Sequence, residues 1–328
     1  MFAHKIVGFT GPDDVQWQEA DEPAADGGVV IDVIAAGVSF ADLLQTRGAY
    51  QMRVPVPYTP GMDAAGVIRS AGPGSGLSPG QRVAVLRSYG CWQQVVSVPA
   101  ERVLPLPPGM GFEAGAALPL NYLTGLFALA RRAGAQPGET LLIHGAAGGV
   151  GTAAIQLGRA LGLRTVAVVS DEAKREFAVR CGADHAVLSD GWLAAVRDLA
   201  GERAIDIVLD PVGSDRPGSD RMTDSLRSLA PEGRLLVLGF SGGEIPTVKV
   251  NRLLLGNTGV LGVASREFFE QRPATVAELW AQLTGLELED PPVEPYRFGD
   301  ARGALRAIAE RRARGKVVLS RLVDTGLS

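Results

Sequence analysis

The stretch Gly145-Ala146-Ala147-Gly148-Gly149-Val150-Gly151 constrains the fold of this chain more than any other. Thr140-Leu141-Leu142-Ile143-His144 precedes it as a strand-like apolar run. Thr152 to Leu163 follows, with Ala153, Ile155, Leu157, Ala160 and Leu161 spaced as on a helix. A glycine turn between strand and helix lets backbone N–H groups approach a pyrophosphate at a helix N-terminus. The stretch departs from G-x-G-x-x-G at its first glycine, reading Ala146-x-Gly148-x-x-Gly151. Its context compensates. A second strand-like run, Thr165 to Val169, leads to a polar segment at Ser170, 22 residues after Gly148, where a ribose-binding residue falls in such a fold. The stretch reads as a dinucleotide site, with Ala147, Gly148, Gly149 and Val150 around the pyrophosphate. His144, ending the strand before it, reads as a packed residue.

Strands and helices alternate from Pro119 onward. Strands are predicted at 140–144, 164–169, 186–188, 205–210, 234–239 and 258–263, and helices near 150–162, 172–181, 191–200 and 219–230. Tyr122 to Ala133 reads as a further helix. This alternation predicts an α/β unit with a doubly wound parallel sheet. The first 120 residues differ. Val29–Ile34, Ala65–Ser70, Arg82–Leu86 and Gln94–Val98 are short β-like runs between Gly/Pro turns, as expected of an antiparallel, partly closed β domain. Lys316-Val317-Val318-Leu319 has no place in a completed six-strand sheet and is expected to return to that domain. The expected organisation is a β-rich domain at 1–119 plus 264–328 around a nucleotide-binding domain at 120–263.

Composition narrows the function classes. A net charge of −4 with no long basic run argues against nucleic acid or an anionic membrane as partner. No run of 18 apolar residues is present, and the N-terminus lacks a signal-like apolar core. Two cysteines, Cys91 and Cys181, form no disulfide framework and suit a reducing cytoplasm. Three scattered histidines and two cysteines offer no structural zinc pattern.

Several strand ends carry candidate chemistry. The second strand ends in Ser170-Asp171-Glu172-Ala173-Lys174-Arg175. A hydroxyl with a nearby cation favours the 2′-phosphate of NADP, whereas a carboxylate at the tip favours the 2′-hydroxyl of NAD. Ser170 and Lys174 point to NADPH; Asp171 either competes or starts the helix. The fourth and fifth strands end in Asp210-Pro211-Val212-Gly213 and Gly239-Phe240-Ser241-Gly242, where strand carboxyl ends meet a ligand in such sheets. Val212, Gly239, Phe240 and Ser241 are therefore cofactor candidates. In the first domain, Asp42 is placed either to cap a short helix or to pair with Arg47.

Taken together, the motifs resemble a medium-chain dehydrogenase/reductase of the zinc-independent quinone oxidoreductase branch. They are Gly37-Val38-Ser39-Phe40-Ala41-Asp42, Arg47-Gly48-x-Tyr50, Pro60-Gly61-x-Asp63-x-x-Gly66, the glycine stretch, Gly182-Ala183-Asp184, Asp210-Pro211-Val212-Gly213 and Gly239-Phe240-Ser241-Gly242. The resemblance implies a Rossmann domain joined to a GroES-like β-rich catalytic domain, with the cofactor in the cleft between them. It places Thr124, 24 residues before Gly148, beside the nicotinamide, with Ser39, Phe40 and Tyr50 in the cleft. Zinc-dependent relatives carry a cysteine in the first motif and Gly-His-Glu in the second. Ser39 and Gly61-Met62-Asp63 stand there instead, so no catalytic zinc is expected. The implied activity is hydride transfer from NADPH to a quinone. An activated alkene (an enone or enoyl thioester) is the alternative substrate, and a non-catalytic NADPH-binding protein the alternative of another class. The resemblance also implies a homodimer paired through the edge strand that holds Val260-Leu261-Gly262-Val263.

Overall fold

The computed structural model describes residues 1–214 and 221–325. The chain divides into two compact units. One comprises Met1–Asn121, Pro273–Thr284 and Asp290–Ser328; the other comprises Tyr122–Arg272 and Gly285–Glu289.

The first unit is organised by Val29–Val38, a ten-residue strand in which both faces are largely buried. Asp63–Ala71 pairs antiparallel along one edge of it, followed in order by Arg82–Leu86 and Val103–Pro105. The other edge is shared: Val95–Val98 pairs with its first half, Val29–Asp32, and Lys316–Ser320 with its second half, Ala35–Val38. One strand holding two partners on one edge curls the sheet toward closure, helped by register shifts at Val30/Ile31 and Val33/Ala35. Val293–Arg297 adds parallel to Lys316–Ser320. The core holds Ile31, Val96, Trp92 and Phe298, all at most 1% exposed. A hairpin ribbon, Phe2–Ile6 with Val15–Glu19, was not anticipated. Four of the five residues in its second strand are exposed, which hides the alternation expected of a half-buried strand. Val103–Pro105 also escaped notice, being only three residues long and ending in proline.

The second unit is the parallel sheet. Its strands are Thr140–His144, Arg164–Val169, His185–Leu188, Ile205–Asp210, Leu229–Val237 and Gly259–Gly262. Numbered in chain order, they stand 3-2-1-4-5-6, so the order reverses beside Thr140–His144. That reversal opens the ligand crevice of a doubly wound sheet. All five residues of Thr140–His144 are buried, as a parallel strand covered on both faces requires. The fifth strand begins at Leu229, five residues before the sequence places it, because Pro231 and Gly233 mask its start. The helix expected at 219–230 is Arg221–Ser228, and 219–220 lie outside the described residues. Tyr122–Ala133 is not a plain α-helix. An α turn at Leu123–Leu126 lies between wider π turns at Leu118–Tyr122 and Phe127–Ala133. Pro119 brings no N–H to the first of these, which removes one regular i→i−4 bond.

Residues 264–272, expected in the β-rich domain, group with the Rossmann unit. The reason is aromatic packing: Phe268 and Phe269 lie 4.9 and 5.6 Å from the Phe127 ring. Among the described residues no helix is long and apolar enough to cross a membrane.

Candidate functional site

The glycine stretch forms the turn its spacing predicts. Gly145 leaves the strand at φ +60°, and a twelve-residue helix, Gly149–Ala160, starts after Gly148 as its N-cap. Gly151 is the steric keystone. A Cβ there would lie 2.4 Å from the Gly145 carbonyl oxygen and 2.6 Å from the Ala146 Cα, so only glycine lets helix and turn approach this closely. Ala147 is buried, and Gly149 and Val150 are half-buried at the first helical turn. The unpaired N–H groups of that turn suit a pyrophosphate. His144, at the end of the strand, is fully buried. It meets Ser225 Oγ at 2.9 Å and stacks edge-on against Trp192. It is packed, as the sequence implied.

The loops after the second, fourth and fifth strands gather at the same carboxyl end of the sheet. After the fourth strand, Asp210 Oδ1 accepts the backbone N–H groups of Val212 and Gly213 at 2.8 and 3.0 Å. That turn is tied to the fifth-strand loop: the Ser241 and Gly242 N–H groups donate to the Pro211 and Val212 carbonyls. Val212 also abuts the glycine turn, its Cγ2 3.0 Å from where a Cβ on Gly145 would sit. Gly239 is half-buried and Phe240 is exposed beside it. At the second-strand tip, Lys174 Nζ donates to Ser170 Oγ at 2.9 Å, and Ser170 Oγ donates to Asp171 Oδ2 at 2.8 Å. Asp171 also caps the helix Glu172–Arg180 by accepting the Lys174 N–H. That backbone bond, then the Ser170 hydroxyl, hold its carboxyl below the ordinary range. Arg175 pairs with Glu172 at 2.6 Å.

Thr124 occupies the α turn between the two π turns, and its hydroxyl meets Ser265 Oγ at 2.9 Å. Nothing in the sequence links these residues, which lie 141 positions apart. Tyr122 is buried, with its hydroxyl bonded to Gln156 Oε1, so it is a packed helix residue.

In the β-rich unit, Ser39 is the N-cap of the helix Phe40–Thr46. Asp42 resolves to capping: its carboxylate accepts the Ser39 N–H at 2.8 Å and the Ser39 hydroxyl at 2.5 Å. Its other oxygen, Oδ1, is buried and has no hydrogen-bond partner. Burial drives the Asp42 carboxyl up to about 6, against the opposing pull of the Ser39 hydroxyl and of Lys316. Phe40 packs against the core of this unit. Tyr50, four residues past the helix, is half-buried.

Beneath Ser39 lies a pair that sequence reasoning missed. Asp63 and Lys316 belong to the strands on either side of Val29–Val38, and their side chains meet above Gly37 at 2.8 and 3.1 Å. Both side chains are nearly inaccessible, at 0% and 3% exposure. Burial raises the Asp63 carboxyl while Lys316 opposes the rise. A Cβ on Gly37 would fall 2.1 Å from Asp63 Oδ1, so the missing side chain makes the crossing possible. A lone lysine opening an apolar strand was the available signal, because a buried cation needs an acid. Cys91 is buried and its thiol is pushed up to about 12 by burial, which leaves it inert. Among the described residues, no group of three or more His, Cys, Asp or Glu side chains is placed to hold a metal.

Comparison with known proteins bears on both units. Residues 149–283 match the family described as Zinc-binding dehydrogenase, and residues 25–108 the Alcohol dehydrogenase GroES-like domain. Quinone oxidoreductase-like protein 2 of Mus musculus is 33% identical over 311 residues, covering 92% of this chain and 87% of that protein. A probable oxidoreductase from Mycobacterium abscessus, of known structure, is 39% identical with a TM-score of 0.87, covering 98% of each chain. The quinone oxidoreductase from Thermus thermophilus, whose structures include a complex with NADPH, is 35% identical with a TM-score of 0.80. The match covers 98% of this chain and 100% of that one. Motifs, fold and relatives agree: the chain belongs to the medium-chain dehydrogenase/reductase superfamily of oxidoreductases, among its quinone oxidoreductase-like members.

Proposed function

We propose that this chain is an NADPH-dependent reductase that delivers hydride to a quinone or similar electrophile without a metal. The observation that carries the cofactor assignment is the meeting of Ser170 Oγ and Lys174 Nζ at 2.9 Å on the tip of the second strand. A hydroxyl beside an ammonium, one strand over from a glycine turn, suits a 2′-phosphate at the far end of a dinucleotide. Ala147, Gly148, Gly149 and Val150 are assigned to the pyrophosphate. Val212, Gly239, Phe240 and Ser241 are assigned to its path, and Thr124 to the nicotinamide end. When bound, the nicotinamide supplies the hydride; the protein supplies position and polarity.

The residues at the family's metal positions do not fit zinc. Ser39 spends its hydroxyl on Asp42, and Asp63 spends both carboxylate oxygens on Lys316. A neutral hydroxyl and an ion-paired carboxylate are poor substitutes for thiolate and imidazole. Substrate activation then rests on hydrogen bonds. Tyr50 is assigned to donate to the substrate oxygen. Ser39 holds the helix start that leads to Tyr50. A quinone needs little more, since its reduced oxygen is a stabilised phenolate.

The test is NADPH oxidation by the purified protein against a panel of quinones and a panel of enones and enoyl thioesters. Turnover confined to the second panel would replace the quinone reading with the alkene reading. NADPH binding without turnover on either panel would leave a non-catalytic binding protein. Lys174→Ala should weaken NADPH by roughly ten- to hundredfold, the worth of one charge-assisted hydrogen bond, and NADH far less. Equal losses would sink the 2′-phosphate assignment.

We also infer a homodimer in a reducing cytoplasm. Gly259–Gly262 is the edge strand of the parallel sheet. Just before it in the chain, Val250, Leu254 and Leu255 are 74–76% exposed. A sheet edge and exposed apolar side chains in the same unit favour a second copy. A monomer in sedimentation at micromolar concentration would overturn this.

A further inference from the structure

Thr124 and Ser265 each leave a local hydrogen bond unmade and take one another instead. A threonine inside a helix usually turns its hydroxyl onto a carbonyl three or four residues back. Thr46, Thr152 and Thr284 do so here, at 2.8 to 3.1 Å. Among the described residues, Thr124 Oγ1 has Ser265 Oγ as its partner, at 2.9 Å, and no carbonyl of its own helix. Ser265 opens the helix Ser265–Gln271 directly after Ala264, the N-cap, and its hydroxyl caps nothing. The two helices are pinned three residues further along, where the Phe127 and Phe268 rings lie 4.9 Å apart. Residues three apart share a helix face, so the ring contact sets the spacing of the hydroxyls. Ser265 also stands three residues past the end of the sixth strand, Gly259–Gly262. Val263 continues that strand's ladder by donating to the Val237 carbonyl at 2.9 Å. All strands of this sheet run parallel, so this is the end at which the glycine turn lies.

We propose that Ser265 is a positioning residue, which holds the Thr124 hydroxyl off its own helix and turned toward the nicotinamide ring. This rests on the reading of Thr124 as the residue beside that ring. Two hydroxyls carry two protons and share one hydrogen bond, so the pair keeps one O–H and free lone pairs for a third group. Ser265 is buried and Thr124 is half-buried, so the third group meets Thr124. Without Ser265, the Thr124 side chain gains a competing rotamer in which its hydroxyl bonds the helix carbonyl behind it. That rotamer takes the hydroxyl away from the ring. Ser265 therefore acts through Thr124 and need not touch the cofactor.

The experiment measures Kd by calorimetry for NADPH and for 2′-phospho-ADP-ribose, which lacks the nicotinamide. The proteins are the full-length wild type, Ser265→Ala, Thr124→Val and the double variant. NADH and ADP-ribose form a second ligand pair, so the test holds for either cofactor. Within a pair, the ratio of the two constants reports what the ring adds to binding. Ser265→Ala should reduce that gain about three- to tenfold, the worth of one neutral hydrogen bond, and leave the ring-free ligand within about twofold. Thr124→Val should do at least as much, and the double variant no more than Thr124→Val. Ser265→Thr keeps a hydroxyl and should restore the gain, which a role in packing alone does not predict. Should Ser265→Ala fail to fold, Ser265→Cys removes the hydroxyl at similar volume. Equal losses for both ligands, a double variant whose losses multiply, or a wild type in which the ring adds nothing would overturn the proposal. If Thr124→Val lowers the gain and Ser265→Ala does not, only this inference fails. If Thr124→Val changes nothing, the assignment of Thr124 falls with it. A wild type that binds none of these ligands overturns the dinucleotide reading as well.

Discussion

Replacing Lys316 with methionine isolates the energetics of the buried ion pair in the β-rich unit. Methionine keeps most of the length and apolar stem of the lysine and removes its charge. In the wild type both Asp63 oxygens are held by Lys316 Nζ, at 3.1 and 2.8 Å, and the side chain of Asp63 is fully inaccessible. Once the ammonium is gone, backbone N–H groups are what remains, that of Leu120 at a long 3.4 Å. Asp42 nearby adds a second carboxylate to the same buried region. Breaking one half of a buried ion pair costs about 3–5 kcal/mol, because the remaining charge loses its compensation. Lys316→Met should therefore lower the unfolding free energy of the β-rich unit by that amount at pH 7. Asp63→Asn with Lys316→Met leaves no buried charge and should recover at least about 2 kcal/mol of it. The single variant should also regain stability as pH falls. Asp63 already has a raised folded-state value, and without its cation it takes up a proton sooner than in the unfolded chain. The assay is urea unfolding followed by tryptophan fluorescence, since Trp92 donates to the Gly37 carbonyl beside the pair. A single variant within about 1 kcal/mol of wild type, or a double variant no better than the single, would refute the reasoning.

Two further outcomes are expected. Gly151→Ala should cost about 1–3 kcal/mol in the Rossmann unit and abolish nicotinamide-cofactor binding, because its Cβ meets backbone at 2.4 Å. Gly148→Ala, with its nearest neighbour at 3.5 Å, should leave stability within about 1 kcal/mol; melting curves of both variants check the contrast. Asp42→Asn should remove a pH dependence. A carboxyl raised from 3.8 to about 6 contributes stability that is full at low pH and lost as pH rises through about 6. Relative to wild type, the asparagine variant should thus gain about 1–2 kcal/mol between pH 5 and pH 8 in urea titrations, and a constant difference would refute it.

The nucleotide half of this molecule was largely legible because its signals are local. Strand, glycine turn and helix are contiguous, and each strand of the parallel sheet is a short apolar run whose burial needs no partner to be guessed. Ser170 and Lys174 were singled out by counting from Gly148. Even the ambiguity of Asp171 was visible, though not that one side chain both caps the helix and faces the lysine. The β-rich half was harder. The ribbon at Phe2–Ile6 and Val15–Glu19 exposes too many polar residues to show a period. The boundary at 263 fell too early because Phe268 and Phe269 are tied to Phe127 by packing that leaves no trace in spacing.

By itself the sequence determined the parallel sheet, the glycine turn and the superfamily. The first two follow from periodicity and from backbone positions that only glycine fills, and the superfamily from the resemblance of the motifs. Only the tertiary structure decided which polar groups face each other. Asp63 and Lys316 lie 253 residues apart and meet because a third strand between them has no side chain at Gly37. Thr124 and Ser265 meet because two helices are pinned by aromatic rings. Such pairings depend on distance in space, and a linear chain encodes that only through the fold it adopts.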